Sequence, residues 1–177
     1  MKKYLCLLIC LLSISTVCLA EIDSPLVFVQ SVYDQCKINT SEYNNAITIQ
    51  APSFRVNQMR DGKGRYSAIM IAVVISGVID RYECHFYNTD VRFSFFDHAS
   101  DTNADILNFN LVDRDVGYYA DCEEHFYIKM NRAGFESIIK KGLDFKAYGK
   151  RENKIFKLPG VYIEGLLMMA DDYVMCH

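Results

Sequence analysis

Alternation of apolar and polar residues with a period of two is the feature that most constrains this chain, and it dominates from Ala46 onward. A period of two is that of a β-strand, whose successive side chains point to opposite faces of a sheet. Turn residues such as Asn, Asp and Gly separate the alternating runs. We therefore predict antiparallel strands over these segments: 46–56, 65–87, 91–96, 106–112, 118–130, 143–148 and 154–158. Within this set, 65–87 is expected to be one long strand bent at Gly77, and 97–104 a loop.

Helical spacing is confined to three other places. Ser24-Pro25 starts a predicted helix that ends near Cys36, since Ser caps helices and Pro suits the first turn. Asn131 caps a second helix that ends before Gly142, and Pro159 starts a third that runs to about Ala170. The predicted fold class is α+β: one antiparallel β-meander sheet packed by an N-terminal helix and two helices in the C-terminal half. A single domain over 21–177 accounts for all of it.

Residues 1–20 resemble a secretory signal. Lys2 and Lys3 precede an apolar run, and Cys18-Leu19-Ala20 places small residues where a signal peptidase cleaves. We predict cleavage after Ala20 and a periplasmic or secreted protein. A membrane anchor and a lipoprotein signal with Cys18 lipidated are the alternatives, and Val17 fits the second poorly. No later segment is apolar for 18 residues, so we expect no transmembrane anchor after cleavage.

Four cysteines remain after that cleavage, which in an exported chain favours two disulfides. The favoured pairings are Cys84–Cys122 and Cys36–Cys176, and four unpaired core cysteines are the alternative. The absence of Cys-x-x-Cys from this part of the chain argues against a thioredoxin-type site and against the commonest zinc spacing.

Two predicted strands echo each other: Glu83-Cys84-His85-Phe86-Tyr87 and Glu123-Glu124-His125-Phe126-Tyr127. If the strands are neighbours, the two histidines share one face with several carboxylates, and Glu124 is left on the buried face without an obvious partner. The predicted binding surface consists of these residues: Glu83, His85, Tyr87, Asp121, Glu123, His125 and Tyr127. A metal bound by His85, His125, Glu83 and Glu123 is a lesser alternative, and a solvent-facing polar strip is the simplest interpretation.

Two other sequence patterns give weaker functional indications. Asp113, Asp115, Asp121 and Glu124 have calcium-loop spacing, but the glycine falls at position 5 instead of 6. Acidic residues concentrate in 97–124 and basic ones in 140–157, while the net charge is −3. This slight acidic excess argues against nucleic acid as a partner.

Motifs of the common hydrolases, nucleotide-binding proteins and zinc proteases are absent, so the sequence implies no catalytic residue and no cofactor. The leading hypothesis is an exported, disulfide-stabilised protein that binds a protein partner through its surface, such as an inhibitor or an immunity-type protein against a toxin or hydrolase. One alternative is a small-ligand or lipid-binding module with an apolar pocket lined by Phe93, Phe95, Phe109, Met168 and Met169. The other is a hydrolase or metal enzyme that uses His85 and His125. The oligomeric state is left open.

Overall fold

A computed structural model of the chain describes residues 25–40, 46–57, 65–117 and 121–177. The predicted signal lies outside these ranges, and so does Asp61-Gly62-Lys63-Gly64, the turn expected between two of the predicted strands. No helix among the described residues is long and apolar enough to cross a bilayer. The helices and strands are, in chain order, α1 (Pro25–Gln35), β1 (Lys37–Thr40), β2 (Ala46–Gln50), β3 (Phe54–Asn57), β4 (Arg65–Ile75), β5 (Val78–Asp90), β6 (Phe96–Asp101), β7 (Phe109–Val116), β8 (Cys122–Met130), α2 (Arg132–Ile138), β9 (Leu143–Gly149), β10 (Asn153–Leu158) and α3 (Gly160–Cys176).

The strands form two antiparallel sheets. The large sheet has the order β1-β2-β4-β5-β8-β7, with β3 also paired to β4, and the small sheet has the order β10-β9-β6. The α+β class with antiparallel sheets and three helices is therefore confirmed for the described chain. The prediction of one meander sheet is wrong, because β6, β9 and β10 form a sheet of their own.

Alternation along β5 and β8 gives the large sheet an inner and an outer face. Phe86 and Phe126 lie opposite each other on the inner face and are fully buried. Phe156 of the small sheet packs edge-on against both, with ring centroids 5.5 and 5.2 Å away. Helix α3 contributes further side chains to the same core: Tyr162, Ile163, Leu166 and Ala170. The small sheet and α3 thus bury the inner face.

The predicted long strand over 65–87 is in fact a hairpin. It breaks at Ser76 and Gly77, which both have left-handed backbone angles, with φ of 53° and 77°. Two consecutive residues with positive φ characterise the tight turn whose twist matches the flanking strands. Only the glycine signalled this turn, because serine rarely adopts that conformation.

The region after β5 also differs from the prediction. Residues 91–95, expected to form a strand, are irregular, and most of the expected loop at 97–104 belongs to β6. Residues 113–117, which separate two of the predicted strands and were expected to form a turn, are largely the end of β7. The capped helix α2 is confirmed: the Asn131 side chain accepts a hydrogen bond from the Gly134 amide. Gly142 follows it with φ of 80°, as a C-terminal cap glycine does.

The predicted disulfide staple is wrong for this structure, in which Cys36, Cys84, Cys122 and Cys176 are all free. Cys84 lies opposite Ile128 in the register of β5 and β8, whereas Cys122 lies opposite Asp90. Six residues of strand therefore separate the two thiols, far beyond the reach of a disulfide. Cys36 instead contacts the Val32 carbonyl, and Cys176 is exposed.

Candidate functional site on the outer face of the large sheet

Strands β5 and β8 are direct neighbours, so the two echoing segments do share a face. His85 lies opposite Tyr127, and Tyr87 lies opposite His125. Glu83 and Glu123 continue the same outer face at its two ends, and Asp121 immediately precedes β8. The face on which the sequence placed the binding-surface candidates therefore exists as one continuous surface.

Four aromatic rings occupy the centre of this face, and we call His85, Tyr87, His125 and Tyr127 the ring cluster. Tyr87 stacks on His125 with centroids 4.2 Å apart, and His85 stacks on Tyr127 at 5.0 Å. All four side chains are only partly exposed. The ring contacts that shield them, within the described chain, are with one another. The cluster is thus held in place by cross-strand stacking on an otherwise open sheet face.

A chain of hydrogen bonds runs through the cluster. Arg81 Nε donates to Glu83 Oε1 at 2.6 Å, and Glu83 Oε2 lies 3.0 Å from His85 Nε2. His85 Nδ1 in turn lies 2.9 Å from His125 Nε2. The far nitrogen of His125, Nδ1, is 3.9 Å from an Asp113 carboxylate oxygen. Charged groups therefore flank the two imidazoles on both sides.

These partners fix where the protons are. Because Glu83 is a carboxylate, His85 Nε2 carries a hydrogen, and the Nδ1 of a neutral His85 is an acceptor. His125 Nε2 then donates to it, which leaves only His125 Nδ1 without a hydrogen bond. One added proton fits on this nitrogen beside Asp113. A second would place two N–H groups against each other at 2.9 Å, so this contact disfavours a pair in which both imidazoles are protonated.

Two pKa values follow from this geometry. The hydrogen bond from His85, reinforced by the one from Arg81, outweighs burial and lowers the pKa of Glu83 to about 2. Burial, and then repulsion from His85, lowers the pKa of His125, while Asp113 partly opposes this. At neutral pH the face therefore carries an ionised Glu83 and a neutral His125.

Sequence reasoning missed two parts of this site. Arg81 completes the chain on β5, and its spacing of two from Glu83 could have indicated this. Asp113 lies opposite His125 on β7, a position that depends on a register shift between Leu111 and Asp113. No local sequence signal predicts that shift.

The described residues do not bring together a set of ligands for either metal hypothesis, the histidine site or the calcium loop. Within the described residues no group of three or more His, Cys, Asp and Glu side chains could hold a metal ion. His85 has both ring nitrogens engaged. For calcium, Glu124 points to the inner face, away from Asp113 and Asp115, so that loop has lost its last ligand.

The inward orientation of Glu124 has a structural explanation. Its carboxylate is fully buried and accepts hydrogen bonds from the backbone amides of Ser94 and Phe96, at 2.7 and 3.2 Å. Arg114 Nε donates to it at 3.0 Å. These contacts anchor the irregular 91–95 segment and the start of β6 to β7 and β8, and Arg114 is the partner that the sequence could not show.

The five residues of the apolar-pocket hypothesis do not come together around a described depression. Phe93 contacts Phe95, Phe109 stacks on Phe126, and Met168 is 40% exposed. Two depressions of about 410 and 160 Å³ lie elsewhere, and none of these five residues lines them; Arg81 and Lys129 line the larger, and Asp101, Lys141 and Leu143 line the smaller.

Several of the segregated charges pair internally. Lys154 binds Asp90 at 2.5 Å, and Lys157 binds Asp144 at 2.9 Å. The basic region of the sequence is therefore less available to a partner than its composition suggested.

A comparison of the chain with protein-family models, with curated proteins and with solved structures finds no match in any of the three. The site's own geometry is accordingly the basis for any functional inference.

Proposed function

We propose that this chain is an exported protein-binding module, acting as an inhibitor or immunity-type protein, and that it binds its partner through the outer face of the large sheet. The observation that carries the proposal is the ring cluster: four aromatic side chains, pre-stacked in two cross-strand pairs, at the centre of an open face. Export rests on the signal-like residues 1–20.

The cluster has the physical properties of a binding hot spot. Tyrosine offers a large apolar surface with few rotatable bonds, and it is enriched at the centres of protein interfaces. Here the rings are already ordered by stacking and by the hydrogen bonds of the histidine pair. A partner that covers them loses little side-chain entropy, so more of the contact energy contributes to affinity.

A hydrolase has weaker support from the same geometry. In the His85–His125 pair, the ring nitrogen free to act as a base is His125 Nδ1, and its neighbour at 3.9 Å is Asp113, a carboxylate. No described Ser, Thr or Cys side chain makes a hydrogen bond with either histidine, so within the described chain the pair has no side-chain nucleophile to activate.

Site-specific photo-crosslinking tests the proposal. A benzoylphenylalanine placed at Tyr127 probes the ring cluster, and the same group at Ile155 is the matched control. Ile155 lies in β10 and is 56% exposed. Both variants would be expressed at native level in the source cells and irradiated, and adducts would be identified by mass spectrometry.

We expect one discrete adduct with the same protein from position 127 and none of that protein from position 155. Adducts of that protein at equal yield from both positions, or no adduct from position 127, would overturn the proposal. N-terminal sequencing of the recovered chain checks export separately, and a mature protein that begins at Glu21 is the expected result.

A further inference from the structure

We propose that this protein has a second binding surface, which accepts an acidic peptide segment of a partner protein. We call it the basic aromatic patch, and it consists of five residues: Arg92, Phe93, Phe95, Lys150 and Arg151. The patch is built on the carboxylate of Glu124, which points to the inner face of β8, whereas His125 of the ring cluster points to the outer face. The inference therefore goes beyond the proposed function and does not depend on it.

The backbone of Phe95 has an unfavourable conformation. Its φ is 60°, in the left-handed region that a bulky side chain rarely adopts. Residues held in such conformations concentrate at functional sites, where the surrounding structure keeps them in place. Within the described chain, neither Phe93 nor Phe95 belongs to the hydrophobic core or to the partly buried side chains that pack against it. Core packing therefore does not explain a phenylalanine at a position where glycine or asparagine would fit with less strain.

Hydrogen bonds on both sides of Phe95 hold this conformation. The backbone amides before and after it both donate to the buried Glu124 carboxylate. In the turn between β9 and β10, the Lys150 amide donates to the Phe95 carbonyl at 3.4 Å. The Arg151 amide donates to the Ser94 carbonyl at 3.2 Å. The patch is thus ordered in the free protein, which lowers the entropy cost of binding.

The charges of the patch are not neutralised by the described chain. The guanidinium carbons of Arg151 and Arg114 lie 5.0 and 5.3 Å from the centre of the Phe95 ring. Arg114 has an internal ion pair, whereas no described carboxylate forms an ion pair with Arg92, Lys150 or Arg151. These last three side chains are all exposed. A carboxylate from a partner would therefore neutralise them without displacing an internal ion pair.

An acidic peptide matches both kinds of side chain in the patch. The rings of Phe93 and Phe95, with centroids 5.7 Å apart, offer apolar contact, and arginine binds carboxylates through paired hydrogen bonds. Aromatic residues and arginine are also the side chains that dominate binding energy at protein interfaces. The whole chain has a net charge of −3, which disfavours an extended polyanion such as nucleic acid or an anionic membrane. A short segment in which acidic and apolar residues alternate fits these features best.

An octapeptide of alternating glutamate and leucine is the probe, and the same peptide with glutamine in place of glutamate is the control. Binding to the whole mature protein at neutral pH would be measured by fluorescence anisotropy and located by NMR shifts. Arg151→Gln removes one charge from the patch, and Arg55→Gln is its matched control, an exposed arginine on β3. Phe95→Asn removes the ring but keeps the backbone conformation, which asparagine adopts more readily.

We expect the glutamate peptide to shift the signals of Phe95 and Arg151, and the glutamine peptide to bind about tenfold more weakly. Arg151→Gln should weaken binding of the glutamate peptide about fivefold, while Arg55→Gln leaves it unchanged. Phe95→Asn should weaken it about tenfold and keep the wild-type melting temperature, because the ring lies outside the core.

Four results would overturn the inference. They are equal weakening by the two arginine variants, a sharply lower melting temperature of Phe95→Asn, tighter binding of a thymidine oligonucleotide or of phosphatidylglycerol vesicles, and no binding of the glutamate peptide at millimolar concentration. Crosslinking at position 127 still reports on the proposed function in each case, so the two failures are distinguishable.

Discussion

Replacement of Glu83 by glutamine tests whether the hydrogen-bonded chain stabilises the outer face. The carboxylate accepts from Arg81 at one oxygen and from His85 at the other, and its side chain is only 13% exposed. Glutamine offers one acceptor oxygen, so one of the two donors would face an amide NH₂ group. Either Arg81 loses its partner, or His85 accepts at Nε2 as the other tautomer and the direction of its hydrogen bond with His125 reverses.

The size of the effect follows from the pKa of Glu83. A fall from 4.5 to about 2 corresponds to about 3 kcal/mol of preference for the ionised form in the folded state. Because the folded pKa is the lower one, this stabilisation is fully present above pH 4.5 and is lost as the pH falls toward 2. Glutamine resembles the protonated carboxyl. The free energy of unfolding of Glu83→Gln should therefore be about 3 kcal/mol lower at pH 7, and it should not fall further between pH 4.5 and pH 2 on account of this position.

Urea denaturation between pH 7 and pH 3 measures both effects. The matched control is Glu123→Gln, an exposed acid on the same face, which should change the free energy of unfolding by less than about 0.5 kcal/mol. If Glu83→Gln loses no more than this control, or keeps the wild-type slope between pH 4.5 and pH 3, the hydrogen-bonded chain does not stabilise the fold as inferred.

Four further outcomes are expected. The lowered pKa of His125 means that the unfolded chain binds its proton first, so unfolding free energy should fall as the pH drops below 6.5, and His125→Gln should flatten this dependence in urea titrations. Glu124→Ala removes the carboxylate that pairs with two buried amides and with Arg114 and should cost about 3–5 kcal/mol, measured by the same denaturation; a loss under about 1 kcal/mol would contradict the anchoring role. Cys176 should react at once with a thiol reagent and Cys84 only on unfolding, as followed by the rate of modification. Equal rates for the two cysteines would contradict the burial of Cys84. Gly165→Ala should lower the melting temperature, because the new Cβ would lie 2.6 Å from Val32 Cβ; an unchanged value would show that α1 and α3 move apart freely.

Period-two alternation predicted the strands that matter most for the site. It sorted β5 and β8 into an apolar face with Phe86 and Phe126 and a polar face with His85 and His125, which is how the structure has them. The prediction succeeded because both strands have one buried and one open face, the situation in which side-chain pattern specifies orientation.

The predictions that the structure contradicts concern features that depend on backbone conformation or on contacts between residues distant in sequence. The turn at Ser76-Gly77 requires a positive φ at a serine, which sequence propensity disfavours. Strand β6 has too few apolar residues to alternate, and its pairing with β9 is what makes it a strand. The Cys84–Cys122 pairing assumed that neighbouring strands place equivalent residues side by side, but the antiparallel register separates them.

The most direct test of binding through the outer face is the affinity of the crosslinked partner for two purified variants, measured by calorimetry. Tyr127→Ala removes a ring from the ring cluster, and Ile155→Ala removes an exposed side chain from the small sheet. If the cluster is the binding hot spot, Tyr127→Ala should cost about 2 kcal/mol, or roughly a 30-fold rise in Kd, while Ile155→Ala leaves Kd unchanged. An unchanged Kd for Tyr127→Ala in a folded protein would contradict binding through this face.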